Sequence, residues 1–328
     1  MLYLHSQDIS TNQSEVVFYI EKPIGLEELG EKLKSIDVIE SVGGFVALGE
    51  HKGIDETNIA TGKYVLKPST PVRYLLNGFK INRLGNGNAE VEVDVVVPSV
   101  RFVEDLAERV SDQLAFSKTD FLKGVESSKA LEELNISIED CHQILLTNTY
   151  KMYYDTSVED FLTRMTAEAQ KFWSDDKLIK LKALGLKSKK EAVTLASIVY
   201  AEQSKLAEEW PTIAGLYLNR IRRGQRLESD PTFKYCWGKE LDTVQRLLAK
   251  HREIDCNYNT YRIKGLPPGP INFPPIACVE AVLNAESNQY IFMVAAPNYS
   301  GEHLFSRSFN EHLRNARIYQ NWLRTQSN

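Results

Sequence analysis

The sequence predicts an α+β fold, and three observations support this. Short strand patterns alternate with short amphipathic helices over the first 110 or so residues, and helical patterns prevail between Lys118 and Lys187. The longest apolar run, residues 291–296, suits a buried strand. With 328 residues, 43% hydrophobic and 25% charged, the chain has the composition of a globular protein and room for two or three domains.

The N-terminal elements alternate between strand and helix. In order, they are a strand at 15–22, helices at 26–33 and near 36–49, a strand at 62–67 and a helix from Pro71 to Leu76. A second strand-then-helix unit, at 91–97 and 103–110, has a similar pattern. It is either a weak internal duplication or a coincidence of two short apolar-acidic helices.

The region between residues 118 and 187 has mostly helical patterns. It is interrupted at 148–154, where the sequence predicts an extended segment. Thr156 and Ser157 then cap a helix through Trp173. A lysine-rich segment follows, and we place the main functional boundary there.

Charge and hydropathy argue against two classes of protein. The net charge is −5 and no polybasic block occurs, which argues against nucleic acid as the main partner. No stretch reaches the roughly eighteen apolar residues of a membrane span, and no signal peptide follows Met1. We therefore expect either a cytosolic protein or a piece of a longer exported or anchored chain.

The four cysteines, Cys141, Cys236, Cys256 and Cys278, form no Cys-x-x-Cys pair, which argues against a zinc site. They are too few for a disulfide framework. The pattern favours buried thiols without a bridge. A single bridge between Cys236 and Cys256 is the alternative in an oxidising compartment.

Glu202 carries a charge where the pattern asks for a hydrophobic residue. The run 188–202 predicts a helix, and Leu195, Ile198, Val199 and Glu202 fall on one face of it. A carboxylate on a buried face is costly, and desolvation raises its pKa, which suits a general acid. The alternatives are a core glutamate paired with an arginine, or an exposed residue on a rotated helix.

Polar residues after this helix are further candidates. A helix opens at Pro211 and contains Asn219, whose poor helix propensity indicates a role for its side chain, with a surface asparagine as the alternative. Asp230 precedes Pro231 and suits a turn or an N-cap. A second carboxylate near Glu202 is the less favoured interpretation of Asp230.

Aromatic and amide side chains beside a rigid loop suggest a wall for a sugar. Tyr258, Asn259 and Tyr261 precede the Pro- and Gly-rich segment 265–270, although an ordinary packed loop has the same pattern. His303 follows near the C-terminus and is either structural or a strand residue that lines the cleft.

Five motifs occur in one order: LASIVYAE at 195–202, IAGLYLNRI at 213–221, RLESDPT at 226–232, YNTYRIKGLPPGP at 258–270 and HLFS at 303–306. Together they resemble the endolytic murein transglycosylases of bacteria, the YceG-like family. GKYVLKP at 62–68 and LLNG at 75–78 resemble the N-terminal module of that family, which is similar to LysM peptidoglycan-binding domains.

The resemblance implies a division of the chain and a site. A LysM-like module spans 1–88, an intermediate strand and helix region spans 89–187, and a mixed α+β catalytic domain with a helix-borne glutamate spans 188–328. Glu202 is then the catalytic residue. The residues expected to contact the glycan or orient Glu202 are Asn219, Asp230, Tyr258, Asn259, Tyr261 and His303.

Two positions depart from the pattern of the family. Its members usually have two acidic residues in the glutamate helix, and here Tyr200 replaces the first. The loop 296–301 is less rich in glycine than is common before the histidine, which weakens the transfer of a role to His303.

The implied activity is cleavage of the β-1,4 bond between N-acetylmuramic acid and N-acetylglucosamine in peptidoglycan, giving 1,6-anhydromuramic ends and limiting nascent chain length. No metal or organic cofactor is expected. The alternatives are a hydrolase that uses Glu202 and Asp230, or a non-catalytic peptidoglycan-binding scaffold.

The resemblance also implies partners and a location. Glycan strands of peptidoglycan are the expected substrate, and peptidoglycan synthases are candidate partners. Family members carry one membrane helix before the LysM-like module. We therefore expect a parent chain anchored in the inner membrane and facing the periplasm or cell wall.

Overall fold

The computed structural model describes residues 9–326 except 84, 134–135, 243 and 245–247. It divides into two compact units, each built from separate stretches of the chain. The first contains the residues through Val96, Glu108–Phe121 and Thr149–Asp160. The second contains Val97–Ala107, Leu122–Asn148 and the residues from Phe161 onward. The predicted three-part division of the chain stays a prediction.

The first unit begins with a strand–helix–helix–strand arrangement: β1 (Val16–Ile20), α1 (Leu26–Ser35), α2 (Val42–His51) and β2 (Gly62–Leu66). The two strands pair antiparallel, from Val16 opposite Leu66 to Ile20 opposite Gly62. These bounds agree with the predicted elements except for the second helix, which begins at Val42 rather than near residue 36.

The later start of α2 has a local cause. The chain leaves α1 through a turn in which Asp37 has a φ of 55°, a left-handed conformation that ends a helix. Ser41 then caps α2, since its Oγ accepts a hydrogen bond from the backbone N–H of Gly44 at 3.1 Å.

The core of this unit lies between its helices and strands. Leu26, Leu29 and Leu33 recur at helical spacing on α1 and are buried. The Tyr64 and Phe79 rings meet edge to face, with centroids 4.9 Å apart. Residues predicted to be apolar on these elements therefore form one packed cluster.

The next elements, in chain order, are α3 (Val72–Phe79), β3 (Glu92–Val97), α4 (Val103–Ser111), α5 (Lys118–Ser127), α6 (Lys129–Glu132), a 3₁₀ helix (Ile138–Gln143), β4 (Asn148–Tyr153), α7 (Val158–Phe172) and α8 (Asp175–Ala183). Strands β3 and β4 form a two-stranded sheet. The predicted strands at 91–97 and 148–154 and the helices after them are confirmed within two residues.

Helix α9 (Lys189–Glu202) is the buried centre of the second unit. Ser188 caps it, accepting a hydrogen bond from the N–H of Glu191 at 3.2 Å. All residues from Ala192 to Val199 are buried, so the helix is covered on every side rather than on one face. The premise of a single buried face was wrong, and Glu202 stands out by its place at the C-terminal end.

The remaining elements of the second unit are a 3₁₀ helix (Ala207–Glu209), α10 (Trp210–Arg222), α11 (Asp230–Cys236), a 3₁₀ helix (Ala249–Glu253), α12 (Ile276–Leu283), β5 (Phe292–Ala295), β6 (His303–Ser306) and α13 (Phe309–Gln326). Strands β5 and β6 form an antiparallel hairpin that places Ala295 opposite His303. The strand predicted near 291–296 is present, but its four residues are half-buried rather than buried.

The expectation that no cysteine is bridged is wrong for one pair. Cys236 and Cys256 form a disulfide, while Cys141 and Cys278 are buried. The bridge joins the end of α11 to the loop before Tyr258. The sequence did not predict it, because the pairing depends on which cysteines the fold brings together.

Within the described ranges, no helix has the length and apolar character that crossing a bilayer requires.

Candidate active site

Glu202, the last residue of α9, lines a cavity of about 680 Å³ in the second unit. Side chains from α10, α11, β6 and α13 complete the walls, and aromatic rings on β5 and α13 cover one side. The volume lies within the roughly 300–1,000 Å³ of small-molecule sites. Glu202 is half-buried, so its carboxyl group is accessible from the cavity and is otherwise surrounded by protein atoms.

Two hydroxyl groups bind one oxygen of Glu202. Ser229 Oγ donates to Oε1 at 2.5 Å, and the Tyr217 hydroxyl donates to the same atom at 2.8 Å. In the described part of the chain, no donor reaches Oε2. The two donors fix the orientation of the carboxyl group, and Oε2 is the oxygen that can carry a transferable proton.

The surroundings of Glu202 favour its protonated form. Burial is the largest influence and raises the pKa of Glu202 above the usual value for a glutamate. The hydrogen bonds from Ser229 and Tyr217 oppose this rise. The charge of Asp230 raises the pKa further, and His303 lowers it. A raised pKa favours the protonated form that a general acid needs.

The structure supports neither alternative for Glu202. The residue is not exposed, and no arginine or lysine among the described residues forms an ion pair with it. The nearby Arg220 is buried and is bound elsewhere.

Arg220 holds the segment that leads to the Glu202-binding serine. Its Nε donates to the carbonyl of Ile291 at 2.6 Å, and its Nη1 donates to the carbonyl of Leu227 at 2.9 Å. It also pairs with the Glu228 carboxylate at 3.2 Å. Glu228 has a φ of 51°, so this segment adopts a conformation that its neighbours must stabilise. Arg220 therefore positions Ser229 indirectly.

A hydroxyl cluster clamps the backbone of Ser229. The Ser229 N–H donates to Thr260 Oγ1 at 3.0 Å, and Thr232 Oγ1 donates to the Ser229 carbonyl at 2.6 Å. The two threonine hydroxyls lie 2.8 Å apart. Because all these atoms are buried, Ser229 has little freedom to turn away from Glu202.

Asp230 is the first residue of α11, and its carboxylate does not cap the helix as favoured from the sequence, because Ser229 occupies the N-cap position. The carboxylate instead accepts a hydrogen bond from the Tyr261 hydroxyl at 2.5 Å and pairs with Arg252 at 3.2 Å. The Arg252 guanidinium also lies over the Tyr261 ring, 4.8 Å from its centroid. Asp230 is thus a charged neighbour of Glu202 with its own cation.

His303 on β6 is oriented by Glu209. Its Nδ1 lies 2.7 Å from Glu209 Oε2, and its backbone N–H donates to Glu209 Oε1 at 2.7 Å. Gln203 Nε2 donates to the same Glu209 carboxylate and to the carbonyl of Gly301, both at 2.8 Å. With Nδ1 engaged, Nε2 is the ring nitrogen left for a ligand in the cavity.

Asn259 is fully buried and bonded to backbone groups. Its Nδ2 donates to the carbonyls of Arg252 and Ile254 at 2.8 and 2.9 Å, and its Oδ1 accepts from the N–H of Tyr261 at 3.1 Å. It holds the loop in which Tyr261 approaches Asp230.

Asn219 and Tyr258 also lie away from the cavity. Asn219 Nδ2 donates to the carbonyls of Asn288 and Tyr290, each at 3.0 Å, which joins α10 to the segment before β5. Tyr258 packs against Tyr235, with ring centroids 4.7 Å apart.

The structure therefore separates the predicted site residues into two groups. Those that line one cavity are Glu202, Asp230, Tyr261 and His303. Those that do not line it are Asn219, Tyr258 and Asn259.

Tyr217, Ser229 and Arg220 have roles that the sequence analysis did not assign. Tyr217 lies between Leu216 and Leu218 in the sequence, where a tyrosine indicates only core packing. Arg220 follows Asn219, and only Asn219 was considered as a candidate. Ser229 directly precedes Asp230, and in that motif only Asp230 was considered as a site residue. Only the tertiary contacts distinguish these residues from their neighbours.

Comparisons with known proteins show the family to which the chain belongs. The profile of the YceG-like family matches residues 18–318. An endolytic murein transglycosylase of Bacillus subtilis (strain 168) is 27% identical over 299 residues, covering 85% of this chain and 78% of the relative. One of Streptococcus pneumoniae (strain R6) is 23% identical over 340 residues, and the chain spans 60% of that relative's length.

The fold has a solved counterpart. The crystal structure of a yceG-like protein from Listeria monocytogenes matches 92% of this chain and 99% of its own, with a TM-score of 0.58 and 23% identity. This likeness shows the mixed α+β fold.

Proposed function

Since the chain belongs to the YceG-like family, we propose that it is an endolytic murein transglycosylase in which Glu202 is both general acid and general base. The names of the Bacillus and Streptococcus relatives support the activity. The observation that carries the assignment of Glu202 is its carboxyl group of raised pKa at the wall of a cavity, which two hydroxyl donors fix and which no cation among the described residues binds.

In the first step, the protonated Oε2 of Glu202 donates its proton to the oxygen that links N-acetylmuramic acid to N-acetylglucosamine. The bond between C1 of the muramic sugar and that oxygen breaks, and positive charge develops at C1. Glu202 is left as a carboxylate, which the hydrogen bonds from Ser229 and Tyr217 stabilise.

In the second step, the C6 hydroxyl of the same muramic sugar attacks C1. Its oxygen forms the new bond, and its proton passes to the Glu202 carboxylate. The products are a 1,6-anhydromuramic end and a free N-acetylglucosamine end, no water is consumed, and Glu202 is again protonated. An internal nucleophile has a high effective concentration, so one carboxyl group suffices.

Asp230 takes an electrostatic role in this proposal. Its bonds to Arg252 and Tyr261 fix the position of its carboxyl group beside the cavity. There its negative charge favours the protonated state of Glu202 and faces the positive charge that develops at C1. A hydrolase would instead need Asp230 to activate water or to act as the nucleophile.

The test is digestion of nascent, uncross-linked glycan in H₂¹⁸O with mass analysis of the new ends. The proposal predicts ends lighter by one water than reducing ends and free of ¹⁸O. Reducing ends that contain ¹⁸O would instead indicate hydrolysis, the reaction for which a second carboxylate such as Asp230 is needed. Absence of any soluble product would favour a non-catalytic scaffold.

For residues 1–88, we propose a LysM-like module, supported by the antiparallel strands β1 and β2 and the two helices between them. We also propose that the parent protein is anchored in the inner membrane, with the catalytic part facing the periplasm or cell wall. Glycan strands are its substrate, and peptidoglycan synthases are candidate partners.

A further inference from the structure

A second cavity, of about 300 Å³, adjoins the first at the end of α9. Neighbouring residues of the same two elements line the two cavities. On α9, Ala201 lines the second cavity and Glu202 the first; on α11, Pro231 lines the second and Asp230 the first. The proposed catalytic group therefore stands at the boundary between the two cavities.

An enzyme that cuts inside a polymer must hold the chain on both sides of the broken bond. Because Glu202 stands at the boundary of the first cavity, that cavity can hold the glycan on only one side of the cleaved bond. The second cavity offers space for the other side, within the range of volumes typical of ligand sites.

The walls of the second cavity include fixed aromatic rings. Tyr200 and Tyr235 line it. The Tyr235 ring is held between Phe102, with stacked centroids 5.7 Å apart, and Tyr258, at 4.7 Å. Burial raises the pKa of Tyr235 to about 12, so its hydroxyl is a neutral donor at physiological pH. Tyr258, predicted as a sugar contact, supports this wall from behind.

The cavity also holds a cation that is available to a ligand. Arg101 is engaged, pairing with Asp242 at 2.9 Å and donating to the carbonyl of Gly238 at 2.8 Å. Lys234 is half-buried at the wall, and its ammonium group forms no ion pair or hydrogen bond with any residue that the structure describes. An ammonium group placed in this way binds anions.

We propose that the second cavity binds the glycan beyond the cleaved bond and that the Lys234 ammonium group binds a carboxylate of the peptide stem carried by the muramic sugar. In a strand that carries stems, the lactyl carboxyl group of each muramic sugar is bound in an amide and the sugars are uncharged, so the stem carboxylates are the anions available to this cation. The inference rests on the proposed function and adds a preference for strands with peptide stems.

The experiment compares two substrates: uncross-linked strands that carry peptide stems, and the same strands after their stem carboxylates have been converted to neutral amides. For Lys234→Gln, kcat/KM should fall about three- to tenfold on strands with free stem carboxylates, the range for a partly exposed charge contact. On strands with amidated stems it should match the original chain. Lys205→Gln, an exposed lysine that lines neither cavity, is the control and should alter neither rate.

Equal losses on both substrates, or no loss on either, would overturn the role of Lys234. Neither outcome affects the proposed function, which depends on the chemical nature of the new ends and not on the stem.

Occupation of the second cavity has its own test. In a Glu202→Gln background, which removes the proposed acid, Ser204→Trp places a bulky ring at the rim of this cavity. Binding of long strands should weaken at least about fivefold, the scale of one lost sugar contact. Unchanged binding would show that the strand does not enter this cavity.

Discussion

Two hydroxyl donors on one carboxyl oxygen set the chemistry of Glu202. Because Ser229 and Tyr217 both bind Oε1, they stabilise the carboxylate that forms after proton donation while leaving Oε2 for the substrate. Their hydrogen bonds partly offset the burial that raises the pKa of Glu202. Burial therefore favours the protonated form of Glu202, and the two hydrogen bonds favour the carboxylate that remains after proton donation.

Ser229→Ala should therefore raise the pKa of Glu202 further, because a group that lowers it is removed. The alkaline limb of the pH profile of kcat/KM should move to higher pH, since the protonated acid persists longer. The maximal rate should fall about five- to thirtyfold, the effect of one lost charge-assisted hydrogen bond.

Tyr217→Phe is the companion variant, since it removes the other hydroxyl donor to Glu202 Oε1. It should shift the limb in the same direction. A profile that loses amplitude without moving in either variant would mean that these hydroxyls support the fold and not the acid.

At the scale of elements, the site is assembled where α9, α11 and the loop after the 3₁₀ helix Ala249–Glu253 meet. The disulfide between Cys236 and Cys256 joins the last two of these, and Asn259 braces the loop from within. The geometry of Tyr261 and Asp230 thus depends on a covalent link that lies outside the cavity lining.

Cys256→Ser should destabilise the protein by about 2–3 kcal/mol, because the bridge closes a loop with a sequence separation of 20 residues. The measurement is the denaturant midpoint with and without a thiol reductant. The original chain should lose stability on reduction, and the variant should not respond. Equal midpoints for the oxidised original and the variant would contradict a stabilising role for the bridge.

At the scale of the whole molecule, buried carboxyl groups make stability depend on pH. In the first unit, burial and the neighbouring Asp155 charge raise the pKa of Glu90 to about 7. A raised carboxyl pKa contributes stability that is complete below the unfolded value, near 4.5, and is lost as the pH rises through about 7.

Glu90→Gln should remove this dependence. Relative to the original chain, the variant should gain about 1 kcal/mol of stability at pH 8, after allowance for solvent screening, and nothing at pH 4. Thermal unfolding across this range is the measurement. A constant difference between the two proteins at all pH values would refute titration of Glu90 as the cause.

The sequence was most informative where periodicity alone decides the structure. The strands and helices of the first unit, the capped helix that ends at Glu202 and the helix that contains Asn219 all follow from local patterns. The start of α2 was misplaced, because the left-handed turn at Asp37 has no strong sequence signal.

The contacts of the site were harder to predict. Asn219 and Asn259 were expected to contact a ligand, but their side-chain amides donate to backbone carbonyls. The sequence does not distinguish an asparagine that binds a ligand from one that binds the backbone. Ser229 and Arg220 act through residues distant in sequence, so only the folded chain shows their roles.

The central claim is that Glu202 alone transfers the proton, and the most direct measurement compares Glu202→Gln with the original chain on nascent uncross-linked glycan. Circular dichroism should show the same fold for both. The variant should form 1,6-anhydro ends at least about 10³-fold more slowly, since glutamine keeps the shape and cannot exchange the proton. Formation of anhydro ends by the folded variant within about tenfold of the original rate would contradict the assignment.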